Sequence, residues 1–313
     1  MLMKSVKIGN VLIKNNAFLA PMAGFSNIAM RKQAYEYGAG LTYTEMISAK
    51  ALAYDNDKTK QLLVHDDNHP IAVQIFGSDP KVMADVCASG ILDDFDIIDI
   101  NMGCPTPKIV KNGDGSALLK NIDLAREIIE ACVKASKKPI TVKFRIGVDE
   151  SHIIATEFAK MCEEAGASAI TVHGRTVSQG YSGKSNLEII KQVKDAVDIP
   201  VIASGDCIDK QSFDKILSKT GVDAVMIGRA AIGNPEIFAE VLGNKVVANK
   251  IEQIYDYVHT LEKYYSQKVV VLTMRGIACH YLKHIKNTSA IRAKISQINS
   301  LNELYELLNQ VSC

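Results

Sequence analysis

A cysteine occupies the fourth position of NMGCP, residues 101–105, directly after the apolar run DIIDI. A free thiol has a pKa of about 8.5 and stays mostly protonated at neutral pH when no cation adjoins it, so it can act as a general acid. Free cysteines are more often small buried hydrophobic residues, and this is what we expect of most of the others. Cys104 lies in a tight turn at a strand end. We therefore predict that it is the catalytic residue and that its thiol faces a substrate.

Seven other apolar runs also end in residues that could serve a binding site. With the first run included, these residues are Met22, Glu45, Gln74, Asn101 with Cys104, Lys143, His173 with Arg175, Gly205 with Asp206, and Gly228 with Arg229. A single polar residue at a strand end is commonly satisfied by its neighbours. Eight such ends that meet at one rim indicate a site.

Lys143 follows an apolar stretch in TVKF, and buried lysines are rare without a partner. One partner would be a ligand that gains negative charge, such as a reduced flavin around its N1 and C2 carbonyl. Gln74 could then hydrogen-bond the pyrimidine edge of the flavin, while the backbone of residues 20–22 lines its other side. The alternative is an internal salt bridge between Lys143 and a neighbouring acid such as Asp99.

Two glycine-containing stretches, SGD at residues 204–206 and GR at residues 228 and 229, predict a phosphate site. Glycine lets the main chain approach phosphate oxygens, and Arg229 can supply a bidentate charged contact. In a closed barrel of alternating strands and helices, the last two strand ends often form such a site. Glycines are also common in turns, so two ordinary turns are the alternative.

The elements that position these residues are eight short apolar, β-branched runs bounded by turn residues, which we predict to be strands. They span residues 16–22, 41–46, 71–77, 96–101, 140–145, 169–175, 200–206 and 224–229. Amphipathic stretches with helical spacing lie between them, for example at residues 123–135 and 187–197. This alternation predicts an α/β fold, a closed (β/α)8 TIM barrel. An open doubly wound sheet is the alternative, although no G-x-G-x-x-G follows the first strand.

The pattern turns purely helical after residue 243, with an apolar stripe along residues 251–265. We therefore predict a barrel domain at residues 1–243 and a small all-α domain at residues 244–313. A final helix opens with Ser300 and Glu303 in capping-box spacing. The all-α part holds nine Lys or Arg against five Asp or Glu. Four basic residues of this part could bind phosphates, and an ordinary solvent-exposed face is the alternative: Lys283, Lys286, Arg292 and Lys294.

The composition is that of a globular protein, with 47% hydrophobic and 23% charged residues among 313. The amino-terminal residues lack the apolar stretch of a secretion signal, and no later run approaches the roughly 18 apolar residues of a membrane span. We therefore expect a soluble, cytoplasmic protein with no membrane contact. The seven cysteines are scattered and form no C-x-x-C pair, so neither a disulfide framework nor a metal site is expected. No feature indicates a protein partner.

Several stretches, in this order, resemble the tRNA-dihydrouridine synthases, which are FMN enzymes that reduce selected uridines of tRNA to dihydrouridine. The most specific stretches are DINMGCP (99–105), NGDGSALL (112–119) and HGRTVSQGYSGKSN (173–186). The others are APMAGFSN (20–27), TEM (44–46), VQIFG (73–77), VKFRIG (142–147), SGD (204–206) and IGRAAIGNP (227–235). The resemblance spans most of residues 17–235.

The resemblance implies roles for the matching residues only. Cys104 would be the proton donor, and Asn101 and Arg175 would lie near the entering nucleotide. The residues that would hold FMN are Pro21, Met22, Ala23, Gln74, Lys143, His173, Ser204, Gly205, Asp206, Gly228 and Arg229. Two places depart from the family pattern: Ser204 stands where asparagine is usual, and MRGIACHYLK (274–283) lacks the Lys-His pair that often follows its arginine.

The implied reaction adds hydride from reduced FMN to C6 of uracil and a proton from Cys104 to C5, with NADPH as the reductant and tRNA as the partner. The target base would leave its stack, at a cost that is smallest in a loop. Two other functions stay open. One is a flavin-dependent reductase or dehydrogenase of a free small molecule, such as a dihydropyrimidine or an enone. The other is a noncatalytic RNA-binding protein that keeps the barrel as a scaffold.

Overall fold

The computed structural model describes residues 4–65, 69–283 and 285–311. Its strands are β1 (Val6–Ile8), β2 (Val11–Ile13), β3 (Ala17–Leu19), β4 (Thr42–Ser48), β5 (Ile71–Phe76), β6 (Ile97–Met102), β7 (Ile140–Arg145), β8 (Ala169–His173), β9 (Val201–Ser204) and β10 (Ala224–Ile227). The last eight of these form one parallel sheet, in which β4 to β10 pair in chain order and β10 also pairs with β3.

The sheet closes between its first and last members in the pairing order, β3 and β4. Phe18 of β3 bridges in parallel to Leu41, and the backbone N–H of Leu19 donates to the carbonyl oxygen of Leu41 at 2.9 Å. The eight predicted strands and the predicted (β/α)8 barrel are thus confirmed. The alternative of an open doubly wound sheet is wrong, because an open sheet would leave these two edges apart.

Helices cover the outside of the barrel and continue beyond it. They are α1 (Ile28–Glu36), α2 (Ala49–Ala53), α3 (Asp57–Lys60), α4 (Pro80–Ala88), α5 (Pro107–Lys111), α6 (Ile122–Ala135), α7 (Ala155–Glu164), α8 (Leu187–Lys194), α9 (Lys210–Thr220), α10 (Ile237–Val241), α11 (Lys250–Glu262), α12 (Gln267–Leu282), α13 (Ser289–Ile295) and α14 (Leu301–Leu308). Short 3-10 turns occupy Gln61–Leu63, Gly115–Lys120 and Arg229–Ala231.

The helix α6 illustrates why these segments are helical. The Asn121 side chain caps its first turn by accepting from the N–H of Leu124 at 3.1 Å, and its apolar residues repeat at the helical spacing. That spacing buries one face, formed by Ala125, Ile128, Ile129 and Cys132, in the core between helices and strands. The helix predicted at residues 123–135 is confirmed, and the one predicted from residue 187 corresponds to α8.

A hairpin of β1 and β2, which the sequence analysis missed, closes the amino end of the barrel. Gly9 takes a positive φ of 56° in its two-residue turn, and a Cβ there would lie 2.7 Å from Pro139, just before β7. The buried side chains of Val6, Ile8 and Ile13 share one apolar cluster with residues from the interior of the barrel. The sequence signal was present, since Gly-Asn between two short apolar runs is typical of a tight hairpin.

The region after residue 243 is helical, as predicted, and packs on α1. The Tyr257 hydroxyl of α11 donates to the Asn27 side chain at 2.9 Å, and the Gln33 side-chain amide donates to the carbonyl of Gln253 at 2.7 Å. One apolar core includes residues of the barrel and of this helical region, so the domain boundary at residue 243 stays a prediction.

The capping box predicted for α14 forms in part. The Ser300 hydroxyl accepts from the N–H of Glu303 at 3.2 Å, but the Glu303 carboxylate accepts from the N–H of Asn299 at 3.0 Å. The reciprocal bond therefore reaches one residue further back than the motif requires. No helix in the described part of the chain is long and apolar enough to cross a bilayer.

Candidate active site

Two adjoining cavities open at the carboxyl ends of the barrel strands. The glycine cavity, of about 430 Å³, is defined by Ser204, Gly205, Asp206, Gly228 and Arg229. The cysteine cavity, of about 370 Å³, is defined by Ala23, Gln74, Asn101, Gly103 and Cys104. The residues that line both cavities are Pro21, Met22, Lys143, His173, Tyr181 and Arg229. Every predicted site residue therefore lines one cavity or both, with the exceptions of Arg175 and of Glu45, whose carboxylate accepts from the N–H of Gly24 at 2.5 Å.

The glycine cavity presents unpaired backbone donors. Gly205 has a φ of +115°, and a Cβ there would lie 2.9 Å from the Ser185 hydroxyl and 3.0 Å from the His173 ring, so only glycine fits. Among the described residues, the backbone N–H groups of Gly205, Asp206, Gly228 and Arg229 make no hydrogen bond within the chain. Unpaired N–H groups and the half-exposed Arg229 guanidinium are what a phosphate group binds.

The Asp206 carboxylate is hydrogen-bonded to other groups of the protein. It accepts from Arg175 Nη2 at 2.7 and 2.9 Å and from the N–H of Ser185 at 2.7 Å. Partial burial raises the pKa of Asp206, but these hydrogen bonds and the charges of Arg175 and Arg229 outweigh that effect and leave the pKa below its ordinary value. Asp206 is thus a carboxylate that anchors the cavity wall, and its backbone N–H is the group available to a phosphate.

Cys104 lies in a loop that neighbouring segments hold closely. The Asn101 side-chain oxygen accepts from the N–H groups of Gly103 and Cys104 at 3.1 and 2.9 Å. A Cβ on Gly103 would lie 3.2 Å from the backbone of Phe144, so the loop packs tightly against β7 at this glycine. The thiol is partly exposed, and its sulfur lies 3.3 Å from the Thr106 hydroxyl. The structure therefore places Asn101 as a support of the cysteine loop as well as a wall of the cavity.

Lys143 lies between the two cavities without an acidic partner. No carboxylate of the described residues comes within 4.0 Å of its Nζ, so the alternative of a salt bridge with Asp99 is wrong. Burial and the charge of Arg145 lower the pKa of Lys143 to about 8, although Asp99 and Cys104 act in the opposite direction. An unpaired cation in a partly buried position favours a ligand that carries negative charge.

His173 is neutral at physiological pH. Burial comes first among the causes that lower its pKa to about 2, and the charges of Lys143, Arg145, Arg175 and Arg229 add to it. A ring in this state offers one hydrogen-bond donor and one acceptor and carries no charge. Its role toward a ligand is therefore hydrogen bonding or ring contact.

Arg175 lies away from the cavities, and its predicted contact with a nucleotide finds no support in its position. The side chain is 2% exposed, and it donates to the carbonyl oxygens of Ser182 and Gly183 at 2.9 and 2.7 Å. Because Gly174 follows the end of β8, the next side chain turns inward behind the loop of residues 176–186 and does not continue along the rim. Arg175 thus fixes that loop against Asp206.

The sequence analysis missed Arg145 and Tyr181, which both face the cysteine cavity. The Tyr181 ring lies 4.8 Å from the Arg229 guanidinium and 5.8 Å from that of Arg145, distances typical of cation–π contacts. Both residues occur in the stretches VKFRIG and HGRTVSQGYSGKSN that carried the resemblance. An arginine at a strand end and a tyrosine in a glycine-rich loop were the signals that could have revealed them.

Among the described residues, no three His, Cys, Asp or Glu side chains come close enough together to hold a metal ion. The groups that line the two cavities include a thiol, the Lys143 ammonium, side-chain amides and a set of backbone donors. This combination suits an anionic, phosphorylated ligand beside a proton donor.

Comparisons with known proteins show which family this chain is similar to. A family model described as dihydrouridine synthase matches residues 18–312. The tRNA-dihydrouridine synthase B of Vibrio parahaemolyticus is 37% identical over 305 residues, which cover 94% of this chain and 95% of the relative. A probable tRNA-dihydrouridine synthase of Rickettsia conorii is 34% identical and covers 94% and 92%. The tRNA-dihydrouridine synthase B of Escherichia coli is 42% identical over 237 residues, 75% of this chain and 74% of the relative.

Solved structures share the fold at low identity. A 2-naphthoyl-CoA reductase complex superposes with a TM-score of 0.62 at 12% identity, over 77% of this chain and 52% of that one. Morphinone reductase superposes with a TM-score of 0.56 at 13% identity, over 79% and 91%. At this identity the likeness concerns the barrel alone.

Proposed function

This chain belongs to the dihydrouridine synthase family, and we propose that it reduces specific uridines of tRNA to 5,6-dihydrouridine, with FMN as the bound cofactor and NADPH as the reductant. The observation that carries the proposal is the joint position of Cys104 and Lys143 on the walls of one cavity, which continues into the glycine cavity. A thiol, an unpaired cation and a phosphate-type seat at one strand-end rim suit a phosphorylated flavin beside an acceptor that needs a proton.

The residues present fit FMN. The unpaired N–H groups of Gly205, Asp206, Gly228 and Arg229, with the Arg229 guanidinium, would bind the phosphate. Ser204 lines the same cavity where related chains usually carry asparagine, so the glycine backbone and Arg229 take the larger share of this contact. The other residues that would line the ring system are Pro21, Met22, Ala23, Gln74, Lys143 and His173.

Reduced FMN would supply the hydride that adds to C6 of uracil. Negative charge then develops toward C5 and O4, and the Cys104 thiol would donate the proton to C5 from the other face of the ring. The Lys143 ammonium would stabilise negative charge on the ligand, since no carboxylate of the described residues forms a salt bridge with it. Asn101 and Gly103 would keep the thiol in place, because they fix the backbone on its amino side.

The proposed substrate must bring a single uracil into the cysteine cavity. Extruding a base costs a few kcal/mol, and least where the strand is already unpaired, as in tRNA loops. Tyr181 and Arg229 line both cavities and would contact the base and its phosphates. The residues of the helical region that we propose contact the tRNA backbone are Lys283, Lys286, Arg292 and Lys294. With tRNA as the substrate, we also propose that the protein acts in the cytoplasm.

The test is a reconstitution with the full chain. FMN-loaded protein, NADPH and an unmodified tRNA transcript should yield dihydrouridine, detected by mass spectrometry as the gain of two hydrogens on one or a few uridines. Free uridine and a simple enone are tested as alternative substrates in separate, parallel reactions. Reduction of these small molecules together with no change in the tRNA would reject the proposal and favour the small-molecule reductase. A protein that neither binds FMN nor consumes NADPH would favour a noncatalytic RNA-binding role.

A further inference from the structure

Asp99 is a buried carboxylate behind the cysteine cavity that no step described above uses. It lies on β6 with no exposed surface, and its two oxygens accept from Thr141 Oγ1 at 2.5 Å and from Gln74 Nε2 at 2.7 Å. Within the described ranges no cation comes within 4.0 Å of it. Burial of an unpaired carboxylate is costly, and its hydrogen bonds offset only part of that cost.

The Asp99 carboxylate is ionised at neutral pH. Burial raises its pKa to about 6, while Thr141, Gln74 and the charge of Lys143 act in the opposite direction. An ionised carboxylate accepts hydrogen bonds and donates none. The amide of Gln74 must therefore turn its nitrogen toward Asp99, which leaves the second N–H of that nitrogen for a ligand.

The orientation of Gln74 passes on to Asn101 and then to the cysteine loop. With its nitrogen on Asp99, Gln74 turns its oxygen toward Asn101, whose side-chain nitrogen donates to it at 2.8 Å. Asn101 then has its oxygen free for the N–H groups of Gly103 and Cys104. These N–H groups only donate and the carboxylate only accepts, so the whole chain of hydrogen bonds has one direction. If both amides were flipped, the Gln74 oxygen would face the Asp99 carboxylate. The Asn101 nitrogen would then face the N–H groups of Gly103 and Cys104.

We propose that Asp99 is a positioning residue, whose carboxylate fixes the orientation of the Gln74 and Asn101 amides and thereby holds the Cys104 thiol and one N–H of Gln74 in the site. The catalytic meaning of this inference rests on the proposed function, whereas the position of the cysteine loop does not. Asp99 itself touches neither cavity, so it acts through its two neighbours.

Two substitutions at Asp99 and one matched control separate the hydrogen bond from the charge and from the packing. Asp99→Leu keeps the number and branching of the side-chain heavy atoms and removes the acceptor, although its methyl groups are bulkier than the carboxylate oxygens. Asp99→Asn removes the charge, yet its oxygen can still accept from Gln74 while its nitrogen donates to the Thr141 hydroxyl. The control is Asp96→Leu, since the Asp96 carboxylate also accepts a hydrogen bond, from the N–H of Ile71 at 2.9 Å, but at the opposite end of the barrel.

The first measurement is the alkylation rate of Cys104 by iodoacetamide in the FMN-loaded full chain, followed on the Cys104 peptide by mass spectrometry. It does not depend on any turnover. We expect Asp99→Leu to alkylate about tenfold faster than the wild type, because a buried donor left without its acceptor releases the loop. Asp99→Asn and Asp96→Leu should stay within about twofold of the wild type. Equal rates in Asp99→Leu and Asp96→Leu would overturn the inference.

The second measurement divides the reaction into its halves. We expect Asp99→Leu to lose about tenfold in flavin reoxidation by tRNA and clearly less in flavin reduction by NADPH, and Asp99→Asn to restore most of the loss in reoxidation. If Asp99→Asn lost as much in flavin reoxidation as Asp99→Leu, the negative charge of Asp99 and not its hydrogen bond to Gln74 would be what the reaction needs. That result would reject positioning through the amides. If the wild type never reduces tRNA, the proposed function fails while the alkylation result still decides the role of Asp99.

A third variant keeps the inference testable if Asp99→Leu does not fold. Thr141→Val removes one of the two hydrogen bonds to Asp99 at nearly constant volume. We expect the side-chain amide protons of Gln74 and Asn101 to exchange with solvent faster in this variant than in Asp96→Leu, as measured by NMR. Unchanged exchange would contradict the proposed chain of hydrogen bonds.

Discussion

Arg145 donates a hydrogen bond from Nε to the carbonyl oxygen of Gly103 at 3.0 Å, one residue before Cys104. Nη1 of the same guanidinium donates to the carbonyl oxygens of Thr176 and Gly180 at 2.9 and 2.8 Å. A single buried side chain thus joins the cysteine loop to the loop that carries Tyr181. This guanidinium therefore helps to fix the position of Cys104 relative to the aromatic ring.

Arg145→Lys should therefore lower both stability and turnover. An ammonium cannot reach three carbonyl oxygens with the fixed fork of a guanidinium, so at least one buried acceptor loses its partner. We expect the free energy of unfolding to fall by about 1–3 kcal/mol in urea titrations. The control, Arg126→Lys, changes an exposed arginine paired with Glu164 and should cost only about 0–1 kcal/mol. Equal losses in the two variants would contradict the bridging role.

Cys104→Ala should separate the two halves of the proposed reaction. The variant should bind FMN and be reduced by NADPH like the wild type, because the thiol is needed only for the proton that reaches the base. Formation of dihydrouridine should fall by about 10²–10⁴-fold, the usual contribution of a general acid. Cys279→Ala is the matched control, since this half-buried cysteine lies on α12, outside both cavities. Full activity of Cys104→Ala would remove the proton-donor role.

Gly205→Ala should weaken FMN binding. The methyl group would stand 2.9 Å from the Ser185 hydroxyl at a φ of +115°, so the backbone must shift where it would meet the phosphate. A penalty of about 1.4 kcal/mol in the complex would raise the dissociation constant about tenfold, measurable by the quenching of flavin fluorescence. Gly221→Ala also has a positive φ, but it ends α9 away from the cavities and has no atom within 4 Å of the added carbon. It should lose stability and keep its FMN affinity.

Lys143 should make the stability of the FMN-free protein depend on alkaline pH. An unfolded lysine has a pKa of about 10.4, whereas burial and Arg145 lower that of Lys143 to about 8 in the folded protein. Between these values the unfolded chain binds more protons, so the contribution of Lys143 to stability rises with pH there. Below pH 8 the full penalty of burying the charge is present.

Lys143→Met should accordingly be more stable than the wild type at neutral pH, by up to about 3 kcal/mol. The difference should shrink as the pH rises from about 8 and approach zero above about 10.4, where the wild-type lysine becomes neutral in both states. Urea denaturation of both FMN-free proteins at several pH values measures this. A difference that stays constant across this range would mean that Lys143 does not carry an uncompensated charge.

Periodicity and turn residues predicted the barrel well because burial dictates them. A strand covered on both faces must be apolar along its length, and a helix on the outside must repeat at its own spacing, so these patterns are written in the sequence. The same logic predicted the ends of the strands and hence Gln74, Lys143 and Gly205. A glycine at a positive φ is a local requirement that needs no knowledge of the rest of the fold.

Loop paths and hydrogen-bond partners could not be predicted in this way. Arg175 is separated from His173 by one residue, the spacing of neighbours on one strand face, but β8 ends at His173 and the chain turns at Gly174. The partners of Arg145 are backbone carbonyl groups of distant loops. Because every residue type has such a group, the sequence does not mark which residues these are. The direction of the Gln74 and Asn101 amides depends on Asp99, whose burial appears only once the strands are assembled.

The amino-terminal hairpin has a consequence for kinetics. Because its apolar side chains seal one end of the barrel, any molecule that reaches the interior must come from the rim formed by the opposite strand ends. In the proposed reaction, the reductant and the nucleobase would then enter through the same opening, and each would have to leave before the other entered. Such a geometry favours a ping-pong order, in which oxidised pyridine nucleotide departs before the polynucleotide is engaged.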